Sequence, residues 1–145
     1  MAIWQFDLFI VPREGTLPCL SEDSWTLPLM PADSTLAAQR GLVESIGCPW
    51  LMMDDWVVFG VENGTRVDLL FDNADEVEVQ VRLDALASEA QIDAICSFAI
   101  ALDSQFFDPE ARSFIRPDRN SLASALNASR AADFSIQPLA YLSRL

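Results

Sequence analysis

The clearest pattern in the chain runs from Glu76 to Asp84. Val77, Val79, Val81 and Leu83 fall on one side and Glu76, Glu78, Gln80, Arg82 and Asp84 on the other. A period of two predicts a strand with one buried and one wet face. Just before it, Asp55–Val61 and Thr65–Phe71 are two apolar runs joined through Glu62-Asn63-Gly64, a hairpin signal. In the second run Val67, Leu69 and Phe71 are expected inward and Arg66 and Asp68 outward. Asp72-Asn73-Ala74-Asp75 turns the chain into the third strand, which completes an antiparallel meander.

Other periods flank this meander. Ile3–Val11 is rich in aromatic and branched residues and predicts a strand closed by Pro12. Arg13–Pro31 has no period and contains Pro18, Pro28 and Pro31, so a long loop is expected. Asp33 or Ser34 would cap a helix running to Ile46, with Leu36, Gln39, Val43 and Ile46 on its apolar face and Gly47 as its stop. Trp50-Leu51-Met52-Met53 is apolar but of no definite type. Ser88–Asp103 predicts an amphipathic helix with Ile92, Ile95, Cys96, Ala99 and Leu102 inward. Phe106-Phe107-Asp108-Pro109 breaks it, and Glu110–Pro117 is ambiguous. Arg119–Ala132 predicts a helix with Leu122, Leu126 and Ser129 aligned. A short last helix within Phe134–Leu145 begins near Pro138 and carries Leu139 and Leu142. The order, β-α-β-β-β-α-α-α, is that of an α+β domain over residues 1–145: helices on the apolar face of a meander sheet, the other face left to solvent or a partner.

Composition narrows the chemistry. The chain has 145 residues, no histidine and a formal charge of −13, and all 9 basic residues are arginine. A single domain is expected from the length, and a 51% hydrophobic content supplies a core. The charge argues against nucleic acid as a partner. The absence of histidine excludes Ser-His-Asp and Cys-His catalysis and HExxH zinc sites. An enzyme would have to use carboxylates, arginine, cysteine or a hydroxyl. Cys19, Cys48 and Cys96 form neither a disulfide framework nor a CxxC pair, and Cys96 is expected as a small buried hydrophobe. The first residues carry no positive region and include Asp7, and no apolar run reaches membrane-spanning length, so a cytoplasmic protein with no membrane partner is expected. No phosphate loop, metal motif or other cofactor signature is present, and the oligomeric state is not legible.

Three features could carry recognition. Acid gathers around the meander: Asp54, Asp55, Glu62, Asp68, Asp72, Asp75, Glu76, Glu78 and Asp84. It reads either as a solvated face, as a patch steering a basic partner, or as a divalent-metal site from Asp72, Asp75, Glu76 and Glu78 that lacks EF-hand spacing. Arg112, Arg116 and Arg119 would project from one side of a helix, where they could hold a phosphate or carboxylate, or else pair with Asp108, Glu110 and Asp118. Of the tryptophans, Trp4 and Trp56 lie in predicted strands and are expected buried. Trp25, in the proline-rich loop, is the candidate for partner contact if it does not fold back onto the core.

The run Phe6-Asp7-Leu8-Phe9-Ile10-Val11-Pro12, the Trp56…Gly60…Arg66-Val67-Asp68 meander and the closing Ser129-Arg130-Ala131-Ala132-Asp133-Phe134 resemble small bacterial proteins similar to the immunity proteins of polymorphic-toxin and contact-dependent secretion systems. The resemblance implies a cytoplasmic single domain that occludes a cognate toxin, with no catalytic residues to carry over. The expected partner is then a protein toxin with a basic active-site cleft, such as a nuclease. The rival expectation is a small anionic-ligand-binding domain or carboxylate-dependent enzyme using Arg112, Arg116 and Arg119. A nucleic-acid mimic fits less well, because the acid is clustered rather than spread along the chain.

Overall fold

A computed structural model describes residues 3–14, 17–22 and 24–144. Met1 and Ala2, Gly15, Thr16 and Asp23 of the expected loop, and the terminal Leu145 lie outside the described residues.

The strands are β1 (Gln5–Pro12), β2 (Cys19–Ser21), β3 (Ser24–Thr26), β4 (Met30–Pro31), β5 (Pro49–Met53), β6 (Trp56–Gly60), β7 (Arg66–Phe71), β8 (Glu76–Asp84), β9 (Ser104–Asp108) and β10 (Ser113–Ile115). The helices are α1 (Ala32–Ser45), α2 (Glu89–Ala101), α3 (Arg119–Asn127), α4 (Arg130–Ile136) and α5 (Pro138–Ser143). One antiparallel sheet runs β10-β9-β1-β8-β7-β6-β5, and β4 pairs with the start of β8. The class is α+β as expected, but with strands on both sides of α2.

The alternation in β8 sets the core. Val77, Val79, Val81 and Leu83 are buried and align across the ladders with Leu8 and Ile10 of β1 and with Val67 and Leu69 of β7. On this face they meet Ile92, Ile95, Cys96 and Ala99 of α2, Leu42 of α1 and Leu122 and Leu126 of α3 in one cluster. The α2 stripe is the one its periodicity predicted. Ser88 accepts from the Gln91 N–H and the Gln91 side chain accepts from the Ser88 N–H, a capping box.

Elsewhere the expectations need correction. Phe106–Pro109 does not simply end a helix. β9 lies between β1 and β10, with Phe106 on the helix face and Phe107 on the other, where Trp25 meets it edge-on at 4.9 Å. A strand covered on both faces has no alternation to read. The Arg13–Pro31 loop contains the β2–β3 hairpin, and this hairpin carries Trp25. Ser129 splits the predicted Arg119–Ala132 helix, because it N-caps α4 through the Ala132 N–H. In α1 the buried residues are Ala32, Thr35 and Leu42, whereas Leu36 is 65% exposed and Val43 is also exposed. Neither Asp33 nor Ser34 caps α1. Its first N–H, on Ala32, bonds instead to the Asp75 carbonyl of the β7–β8 turn at 2.8 Å. In α5 the buried side chain is Tyr141, while Leu139 and Leu142 face outward. Trp4 is exposed and precedes β1.

A close backbone crossing fixes the α1–β5 connection. Gly60 has φ +103°, and a Cβ there would lie 2.4 Å from the Thr65 carbonyl oxygen and 2.9 Å from Ile46 Cγ2. Gly47 approaches the same point, its own Cβ position 3.0 Å from the Gly60 Cα. Only glycine combines that φ with that approach. Gly60→Ala is expected to destabilise the fold by about 2 kcal/mol or more, read as a lower denaturant midpoint at an unchanged slope.

Candidate functional site

The sheet face away from the helices is not the wet face its polar residues suggest. Arg66 and Asp68, two apart on β7, point to that side and are 1% and 0% exposed. Arg66 grips Asp68 with both arms of its guanidinium: Nε donates to Oδ1 at 2.8 Å and Nη2 to Oδ2 at 2.6 Å. Trp56 Nε1 adds a 2.8 Å bond to Oδ2. The Trp50 ring lies 6.0 Å from the Arg66 guanidinium carbon, and its Nε1 donates to the Gly60 carbonyl at 2.7 Å. Arg66 Nη1 also donates to the Glu62 carbonyl. β5, β6 and β7 are thus tied together on this face by a buried ion pair and its aromatic cover. Asp68 is therefore structural, which withdraws it from the expected docking residues.

The remaining predicted acids separate into groups. Asp54 and Asp55 are exposed on the β5–β6 turn, and Asp72, Asp75 and Glu76 are exposed at the β7–β8 turn. The Phe71 N–H bonds to the Asp55 carbonyl at 2.8 Å, so the two turns are neighbours at one end of the sheet. Asn73 Oδ1 accepts from the Asp75 and Glu76 N–H groups and shapes the second turn. Neither turn carries an arginine. Glu62 sits at the opposite end, in the β6–β7 hairpin, where its carbonyl accepts from Gln5 and Arg66. Glu78 is half-buried and accepts from Gln80, and Asp84 is also half-buried. Among the described residues no three carboxylates or thiols are placed to hold a metal ion.

Beside the acidic end lies an edge of the sheet with no further strand among the described residues. β5 is the last strand of the sheet and contains no charged residue. Leu51 and Met53 are 65% and 66% exposed, and Asp54 follows directly.

The arginine trio does not converge. Arg112 occupies a turn with φ +54°, and Arg116 follows β10. They stand at opposite ends of a strand stretch, about 13 Å apart at strand rise. Arg119 opens α3 and is held by Asp93 and Glu89 of α2 rather than by Asp108, Glu110 or Asp118. Trp25 is half-buried against Phe107, so it chiefly anchors the β2–β3 hairpin.

Sequence reasoning gave no site role to Asp7, the one charged residue of β1. Asp7 lies opposite Arg82, which in turn lies opposite Arg66. Among the described residues its Oδ1 is buried without a hydrogen-bond partner, and it lines a cavity of about 30 Å³ with Gln5, Pro109, Glu110 and Arg130. Burial pushes its carboxyl above the usual 3.8, against the pull of Arg82 and Arg130. Burial likewise raises the Cys96 thiol to about 11, whereas Cys19 and Cys48 are exposed.

No helix among the described residues is long and apolar enough to cross a membrane. No protein-family model, curated protein or solved structure matches the chain.

Removing Asp68 leaves a buried guanidinium without its counter-charge. Asp68→Ala is expected to cost about 3–5 kcal/mol, and adding Arg66→Met should recover part of that loss in a double-mutant cycle. Asp7 acts in the opposite sense. Its folded-state pKa lies above the unfolded value, so its ionisation weighs against the fold as pH rises through the folded pKa, and the penalty is gone below 3.8. Asp7→Asn is expected to raise the melting temperature at neutral pH, with the advantage vanishing in acid. Thiol labelling of the folded protein at pH 8 should modify Cys19 and Cys48 and spare Cys96.

Proposed function

We propose that this chain is an interaction protein of the immunity type, which binds a cognate toxin domain through a basic cleft and blocks it sterically. It would act in the cytoplasm and without a cofactor. The observation that carries this reading is the acidic end of the sheet, where Asp54, Asp55, Asp72, Asp75 and Glu76 stand exposed on adjoining turns with no arginine on either. The formal charge of −13 makes the long-range field attractive to a basic surface. Arg112 in a turn and Arg119 held by Asp93 and Glu89 favour this reading over an anion-binding one.

Steering of this kind acts mainly on association. Where a neighbouring reading frame encodes a toxin domain, that domain is the binding partner to use. Replacing Asp54, Asp72 and Asp75 with lysine should slow association about tenfold or more, flatten its salt dependence and change dissociation less. These positions are exposed, so the melting temperature should hold. An association rate untouched by the triple replacement would overturn the reading.

A further inference from the structure

We propose that β5 is the docking edge, and that the partner supplies a basic, extended segment which pairs with it as an added strand. This rests on the interaction reading above and specifies how that same region engages its partner.

Among the described residues the sheet ends in β10 on one side and β5 on the other, and these edges differ. β10 is three residues long, a common way to blunt an edge. β5 is five residues long, Pro-Trp-Leu-Met-Met; it begins with Pro49 and shifts register between Leu51 and Met53, but it has no charged side chain to repel a neighbour. It is held in place from behind by Trp50, whose ring covers Arg66 and whose Nε1 bonds to Gly60. These contacts hold the strand in place, which lowers the ordering cost of adding another.

α1 supplies a seat next to it. α1 packs on α2 and on β6, and α2 packs on β9. The direction from α2 to α1 is thus toward the β5 edge. The groove between the two helices is lined on the α1 side by Ala38, Gly41, Glu44 and Ser45. Leu36 and Val43, a heptad apart, occupy the opposite flank and are exposed. Leu51 is on the helix face of β5, since it pairs with Val57 in line with Leu69 and Val79. A strand added to β5 would set apolar side chains on this face beside Leu51, Leu36 and Val43.

Charge selects the occupant. A second copy would bring two chains of −13 together. A segment with lysine or arginine flanking its apolar residues meets Asp54, Asp55 and the β7–β8 turn favourably. The occupant is therefore a basic, alternating strand of a different protein.

The test uses a peptide of about nine alternating lysine and valine residues, the same peptide N-methylated at every second residue, and a glutamate-valine counterpart. Amide exchange and affinity are measured on the full chain. The lysine-valine peptide should slow the outward-facing β5 amides about tenfold or more, with affinity at least about tenfold above that of the methylated peptide, which keeps charge and side chains but lacks the strand donors. Leu36→Ser with Val43→Ser should weaken binding severalfold while leaving the fold intact. Equal affinity of the methylated peptide, protection at β10 instead of β5, no protection at millimolar peptide, or β5 protection that rises with protein concentration alone would each overturn strand addition. The first of these would leave the acidic reading standing. Equal binding of the lysine and glutamate peptides at β5 would keep the edge and overturn the acidic reading.

Discussion

The bidentate pair between Arg66 and Asp68 constrains much of this structure. Both groups lie two residues apart on β7, beneath the indoles of Trp50 and Trp56, and neither has access to water. Burying two charges is unfavourable unless their geometry and remaining hydrogen bonds are satisfied. Here the Asp68 oxygens take both arms of the guanidinium and the Trp56 N–H, and Arg66 spends a further N–H on the Glu62 carbonyl. The pair also manages a cross-strand conflict. Arg66 faces Arg82 across the β7–β8 ladder, and like charges in that position repel. Asp68, gripped by Arg66, offsets that repulsion.

That arrangement has consequences at the surface. Because Trp50 and Trp56 are drawn inward to cover the pair, β5 and β6 are locked to β7, and the outer edge of β5 is left with no further strand among the described residues. The bond from Phe71 to Asp55 then brings the β5–β6 turn against the β7–β8 turn. An apolar edge and an acidic end become one continuous region. Docking energy would come from main-chain pairing and apolar burial, and charge would govern approach and partner choice.

Legibility followed the number of faces each segment buries. β8 buries one side chain in two, so its strand, its bounds and its inward residues were all readable. The α2 stripe was readable for the same reason. β9 was not, because Phe106 and Phe107 are buried on opposite faces and leave no period. α1 misled in another way. Its Leu36–Val43 stripe has the spacing of a core face, but the helix turns Ala32, Thr35 and Leu42 to the sheet. An apolar stripe that the fold leaves outside is a mismatch that partner binding would resolve. The arginine trio depended on a helix that a turn and β10 replace, and so its shared face vanished.

By itself, the sequence determined the α+β class, the meander, the principal helix and the absence of histidine chemistry. These depend on composition or on contacts between residues close in the chain, and local periodicity records them. Only the tertiary structure decided which carboxylates stand together. Asp68 entered the interior because Trp50 and Trp56 close over it, Glu62 went to the far end of the sheet, and Asp54, Asp55, Asp72, Asp75 and Glu76 met at the near end. Burial and proximity of charges are set by packing between distant segments, which leaves no trace in the spacing of the charges along the chain.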